Sequence, residues 1–239
     1  MARRPRFALP GLPQHVIQRG NNRQAAFYTD EDRLFYLECL GDAARKYGCL
    51  VHAYVLMTNH VHLLATPLET LALSRTMQHL GRRYVRYVND RYRRSGTLWE
   101  DRFKASLVDT EPYFLRCSCY IEFNPVRAKI VVRPEDYRWS SHRHLGFGTY
   151  DALVCPHQEY ERLGSSPDER QAAYRALFAT ELSASELGRI RTTVNQGRPL
   201  GSDRFTSEIE RALKRAASPP KRGRPTQSGI DQTAGSKSA

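Results

Sequence analysis

The chain has 239 residues, 40% of them apolar, which is enough for one sizeable globular domain with an appendage. Its 37 Lys and Arg against 25 Asp and Glu leave a formal charge of +12, which points to a polyanionic partner because every phosphate neutralised releases counterions. No stretch approaches the roughly 18 apolar residues of a membrane span, the start Met1-Ala2-Arg3-Arg4-Pro5-Arg6 lacks a secretory core, and the five cysteines show no Cys-x-x-Cys spacing; a cytoplasmic protein with reduced, mostly buried thiols is expected.

Gln14 to Arg19 reads as a strand, followed by a turn at Gly20-Asn21-Asn22-Arg23. Thr29 is an N-cap candidate ahead of apolar residues at Leu34, Phe35, Leu37, Leu40 and Ala44, and Gly48 can close that helix. Leu50–Met57 and Val61–Ala65 are apolar runs joined at Thr58-Asn59, a hairpin buried on both faces. A long basic helix runs from near Thr70 to Arg94, where Ser95-Gly96 stops it, and Phe103–Val108 returns as a strand. Thr110-Glu111-Pro112 opens another helix, which Pro125 ends near Asn124. The order predicts an α+β fold of ferredoxin-like βαββαβ type with a four-stranded antiparallel sheet, spanning about 10–130.

Residues 131–215 read as a small helical C-terminal region. Ser166-Pro167-Asp168-Glu169 has capping-box spacing for a helix to about Thr180, and Phe205, Ile209 and Leu213 recur every four residues in another. From 216 to 239 Pro, Gly, Ser and basic residues dominate, and disorder is expected. Within that tail Arg222-Gly223-Arg224-Pro225 has the composition of an AT-hook core able to enter a minor groove; a nonspecific electrostatic tether is the alternative.

His60 and His62, two apart in a strand, share one face. Tyr120 and Asn124, four apart in a helix, do the same, in a stripe with Tyr113 and Arg116. If the two faces meet, His60, His62 and Asn124 form a neutral donor set for a divalent cation, Mg²⁺ or Mn²⁺, with Tyr120 as a nucleophile toward phosphorus. The alternative is plain architecture: a His-x-His in a buried strand, a surface tyrosine and an asparagine ending a helix. No Gly-x4-Gly-Lys-Ser/Thr loop is present.

For DNA contact, Arg19, Asn21, Asn22 and Arg23 form a loop with paired amides, Arg102 follows Trp99, and Arg116 sits on the tyrosine helix. Arg82, Arg83 and Arg86 stand on the long helix with Tyr84, Tyr87 and Tyr92 interleaved, a combination suited to phosphates and stacked bases or, alternatively, a solvated face. His15, His52 and His79 read as structural or surface residues rather than ligands.

Asn59-His60-Val61-His62-Leu63-Leu64 resembles the His-hydrophobe-His signature of HUH single-strand nucleases, and Cys119-Tyr120-Ile121-Glu122-Phe123-Asn124-Pro125-Val126-Arg127-Ala128 resembles the tyrosine motif of REP-associated tyrosine transposases, relatives of the insertion-sequence-200-like transposases. Arg19–Arg23, Gly96–Phe103 and Tyr137–Ser141 extend the likeness over roughly 10–145. It implies a divalent metal on His60, His62 and Asn124, and Tyr120 attached to a 5′ phosphate of cleaved single-stranded hairpin DNA. It also implies a monomer acting with its own tyrosine. Mobile relatives carry Gln at the position of Asn124. Two other readings remain open: a domesticated, non-catalytic DNA-binding protein, and a hydrolytic metallonuclease.

Overall fold

The computed structural model describes residues 6–217. Four strands, β1 (Gln14–Arg19), β2 (Cys49–Met57), β3 (His60–Pro67) and β4 (Lys104–Leu107), form one sheet in the order β2-β3-β1-β4, with all neighbours antiparallel. Helices α1 (Asp30–Tyr47) and α2 (Ala72–Arg91) supply the two crossovers, so the chain has the expected α+β, ferredoxin-like order. Thr29 and Asp32 close a capping box at the start of α1, and Gly48, at φ 67°, ends it in the left-handed region.

Register divides the sheet into two faces. His60, His62 and Leu64 of β3 stand opposite Arg19, Ile17 and His15 of β1, while Val61, Leu63 and Val16 point the other way. Cys49 pairs with Pro67 on that second face and lies beside Thr76 of α2, so α1 and α2, packed on one another, cover the face away from the histidines.

The histidine face is covered by α3 (Thr110–Glu122). The expected helix end at Asn124 becomes a break at Phe123: the chain restarts as α4 (Asn124–Arg127) with Pro125 in its first turn, where a missing N–H costs nothing. Short helices α5 (His142–Phe147) and α6 (Gln158–Glu161) follow. Helix α7 (Pro167–Ala176) keeps its expected capping box but stops short of Thr180, and α9 (Asp203–Leu213) is the second expected helix. Between them stands α8 (Ala184–Gln196), which was not anticipated.

These later segments protect the sheet edges, which would otherwise present unpaired backbone groups. Trp139 and Cys155 bond the β2 edge through Leu56 N–Trp139 O (2.9 Å) and Cys155 N–Val51 O (2.7 Å). Leu200 bonds the β4 side through Leu200 N–Leu107 O (2.7 Å) and Asp109 N–Leu200 O (2.8 Å). All five cysteines are free, with Cys39, Cys49, Cys117 and Cys119 buried. No helix among the described residues is long and apolar enough to cross a membrane.

Candidate active site

The antiparallel register places His62 across from Ile17 and diagonal to His15, whose Nε2 lies 2.8 Å from His62 Nδ1 with the two rings stacked at 5.1 Å. Above them α3 lowers the ring of Tyr120, edge-on to His62 at 5.7 Å and to His15 at 5.6 Å. His60 completes the group, 5.2 Å from His62 between ring centres. Tyr120 is 4% exposed and His62 2%, so this is a closed site in which His60 is the more accessible member.

Hydrogen bonds decide which imidazole nitrogens are free. Asn59 donates Nδ2 to the Arg23 carbonyl (2.8 Å), which fixes its amide orientation and leaves Oδ1 to accept from His60 Nδ1 at 2.7 Å. His60 therefore carries its hydrogen on Nδ1 and offers the Nε2 lone pair. Burial and the nearby Arg19 pull its pKa down to about 4. His62 is held well below the ordinary histidine range by burial and by His15, and burial takes His15 down to about 3. All three imidazoles are neutral at pH 7, the state that can ligate a metal.

Asn124 turns its Nδ2 back to the Tyr120 and Ile121 carbonyls (3.0 and 3.1 Å), leaving Oδ1 as the end open to an outside partner. Arg127, on α4, lies over the Tyr120 ring at 4.6 Å and donates to the Tyr120 carbonyl. Burial lowers its pKa to about 10, so it is a cation at neutral pH beside the phenol. Neither His15 nor Arg127 was given a site role from sequence. His15 reads from sequence as a structural or surface residue, and only the β1–β3 register reveals that it touches His62.

The loop residues gather at the same end of the sheet. Gly20 N bonds Asn59 O (2.8 Å), Asn21 N bonds Leu98 O (2.9 Å) and Glu100 N bonds Arg19 O (2.9 Å), so Arg19, Asn21–Arg23 and the segment leading to Arg102 surround the His60 end. A Cβ at Gly20 would stand 2.2 Å from the Gln24 carbonyl oxygen, so this turn closes only around glycine. Asn22 and Arg23 are exposed and both left-handed, at φ 50° and 59°, a conformation that costs a non-glycine residue about 1–2 kcal/mol.

Two groups of expected contacts are placed elsewhere. Arg82, Arg83 and Arg86 ride on α2, on the face away from the histidines, and Arg83 is ion-paired with Asp42 (2.7 Å) and Glu38 (3.6 Å) of α1. Of the interleaved tyrosines, Tyr84 is buried with its hydroxyl on the Ala26 carbonyl, while Tyr87 and Tyr92 are half-buried and donate to the buried Asp32 carboxylate. Arg116 faces α8 and pairs with Glu186, and Tyr113 accepts from Arg189, so the helix stripe splits between α8 and the histidines. The segment Arg222–Pro225 lies outside the described residues.

Residues 9–124 match the family model described as "Transposase IS200 like". Among solved structures, the chain is similar to a REP-associated tyrosine transposase bound to a REP hairpin, with a TM-score of 0.53, 19% identity, and coverage of 66% of this chain and 93% of that one. A Deinococcus radiodurans R1 protein assigned as a transposase matches with a TM-score of 0.35, 20% identity, and coverage of 57% of this chain and 98% of that one. No curated protein sequence matches.

Proposed function

Residues 9–124 of this chain belong to the IS200-like transposase family, and on that premise we propose that the protein is a metal-dependent, single-tyrosine endonuclease and strand transferase acting on single-stranded hairpin DNA. The observation that carries the reading is the convergence of one phenol and a pair of neutral imidazoles: Tyr120 within 5.7 Å of His62, and His62 within 5.2 Å of His60, ring to ring. The phenol and the imidazoles belong to the same chain, which supports a monomer using its own tyrosine. Arg19, Asn21, Asn22, Arg23 and Arg102 frame the histidine end and suit the hairpin and its flank. A protein acting on DNA in this way works in the cytoplasm, where the DNA is.

The donor set fits a divalent cation. His60 Nε2 is free, and His62 Nε2 is the nitrogen not engaged by His15. Asn124 Oδ1 would supply the third ligand. Among the described residues no cluster of three or more His, Cys, Asp or Glu could hold a metal, so a site built here has no carboxylate and leaves the cation's charge for phosphate oxygens to share. When bound, Mg²⁺ or Mn²⁺ would supply Lewis-acid polarisation of the scissile phosphate.

The remaining chemistry belongs to the chain. Tyr120 Oη gives up its proton and attacks phosphorus. A phosphorus–oxygen bond forms to the phenol, the bond to O3′ breaks, and the departing 3′ oxygen takes up a proton. Arg127 holds positive charge beside the phenol where negative charge develops. The phosphotyrosine linkage conserves the energy of the broken phosphodiester, so rejoining requires no ATP.

The closed packing of Tyr120 favours a second reading, a DNA-binding protein of the same fold whose histidines are structural. Incubation with hairpin DNA and Mg²⁺ or Mn²⁺, followed by denaturation, separates the two. A covalent protein–DNA adduct lost in Tyr120→Phe supports the strand transferase. Tight binding without an adduct under either metal establishes the second reading, and cleavage that survives Tyr120→Phe but not His60→Ala establishes a hydrolytic nuclease.

A further inference from the structure

The segment 20–27 and the β2–β3 hairpin are laced together by their backbones. Gly20 N donates to the Asn59 carbonyl (2.8 Å), and Ala26 N (2.9 Å) and Phe27 N (3.2 Å) both donate to the Thr58 carbonyl. The half-buried side chain of Asn59 adds a link of another kind. Its Nδ2 holds the Arg23 carbonyl (2.8 Å) and its Oδ1 faces His60 Nδ1 (2.7 Å), so among the described residues each end of the amide has one hydrogen-bond partner. The two ends of an amide are alike in shape and opposite in hydrogen bonding, whereas a neutral imidazole can donate or accept at Nδ1. Turned over, Asn59 would set an N–H against His60 Nδ1 and its oxygen against the oxygen of Arg23. His60 would then carry its hydrogen on Nε2, and the lone pair offered to a metal would be gone. His60 accepts either sense of the amide, so the Arg23 carbonyl is what specifies the observed one.

The direction of that carbonyl is set by an unfavourable backbone. Arg23, at φ 59°, follows Asn22, at φ 50°, in the left-handed region. Asparagine offsets part of the cost through local hydrogen bonds of its short side chain, which arginine does not. Strain of this kind persists where the surrounding structure over-determines it, and it gathers at functional sites. Here the determinants are Asn21 N on the Leu98 carbonyl (2.9 Å), Arg23 N on the Gly20 carbonyl (3.0 Å) and Gln24 N on the Asn21 carbonyl (2.9 Å). The side chains of Asn22 and Arg23 are exposed, so no packing of theirs accounts for the conformation; the bond from Asn59 to the Arg23 carbonyl does.

We propose that Asn59 is a positioning residue through which the backbone of the turn 20–23 selects the metal-ligating tautomer of His60. The turn then has a part in metal binding that is separate from any contact its side chains make with DNA. The inference rests on the strand-transferase reading for the role of His60, but the tautomer itself is measured without metal, DNA or cleavage.

Long-range proton–nitrogen NMR spectra of the metal-free full chain, with the His60 signals assigned by their loss in His60→Gln, report which imidazole nitrogen carries the hydrogen. The wild type should show it on Nδ1. Asn59→Leu removes the acceptor and should move His60 toward the Nε2–H form, with Mn²⁺ affinity measured by calorimetry falling about tenfold or more. The turn is displaced, with Asn59 left in place, by Gly20→Ala, whose Cβ would stand 2.2 Å from the Gln24 carbonyl oxygen, or more mildly by Asn22→Val, a β-branched residue that resists φ 50°. Circular dichroism melts matching the wild type select the turn variant that stays folded, and it should shift His60 as Asn59→Leu does. Asn59→Asp presents an oxygen whichever way it turns, so it should keep the Nδ1–H form. Combined with the turn variant, it should restore both the tautomer and most of the Mn²⁺ affinity, a rescue that a merely structural turn would not show. A His60 signal unchanged in Asn59→Leu, or a shift in the turn variant that Asn59→Asp fails to reverse, overturns the proposal. A tautomer that follows Asn59 without a Tyr120 adduct sinks the cleavage reading and leaves this assignment standing; an adduct with a tautomer indifferent to Asn59 does the reverse.

Discussion

A neutral imidazole has one lone pair, and what its other nitrogen touches decides where that lone pair points. His62 and His15 face each other across 2.8 Å with one hydrogen to share. Only when His62 Nδ1 donates to His15 is His62 Nε2 free for a metal, so His15 acts as the acceptor that selects the ligating tautomer. Replacing His15 by Phe keeps a planar ring and removes the acceptor; Mn²⁺ affinity measured by calorimetry should fall about 10- to 100-fold. His15→Gln, which retains an acceptor oxygen, should recover part of the loss, and unchanged affinity in the Phe variant would refute the assignment. His60, His62, Tyr120 and Asn124 are legible in the sequence because spacings of two and four declare a shared face. His15 is 47 positions from its partner, and no local spacing announces a contact made by strand register.

At the scale of elements, the tyrosine helix is held by a polar anchor two residues beyond its phenol. Glu122 is fully buried and accepts from Ser141 Oγ, His142 Nδ1 (3.0 Å) and Tyr174 Oη (2.9 Å), tying the end of α3 to α5 and α7. A buried carboxylate is tolerable only when its lone pairs are met, and a hydrogen bond to a charged group is worth about 1.5–3 kcal/mol. Tyr174→Phe should therefore lower unfolding stability by about that amount in urea titrations with an unchanged m-value, and a loss below about 0.5 kcal/mol would show that the anchor is redundant. The sequence disclosed the helix starts here but not their purpose. Ser183 and Glu186 form a capping box, and what α8 does, pairing Glu186 with Arg116 and walling the β4 side, depends on where the sheet edge lies. Likewise Glu122 looks like an ordinary solvated helix residue until the segment 140–142 is seen folded beneath it.

Over the whole molecule, histidines are buried neutral on both sides of function. His15 and His62 sit in the candidate site, while His52, 3% exposed, bonds the Cys155 carbonyl through Nδ1 (2.7 Å) and Thr66 Oγ1 through Nε2 (2.8 Å). Burial brings His15 to about 3 and His52 to about 4, and holds His62 well below the ordinary range. In the unfolded chain each titrates near 6.5, so below that pH the unfolded state binds protons that the folded state refuses. Stability is then fully present above about pH 6.5 and falls as the pH drops toward 4, by about 1.4 kcal/mol per pH unit for each such histidine. Ordinary carboxylates contribute little until below pH 5, which makes the interval from 6.5 to 5 diagnostic. With His60, also brought to about 4, urea unfolding at pH 7, 6 and 5 should show a steep decline carried by three or four protons. His52→Gln should remove about one proton's worth of that slope without touching the pair at Tyr120. A stability flat from pH 7 to 5 would mean that these imidazoles become charged in place as readily as in the unfolded chain, against their reading as buried neutral groups.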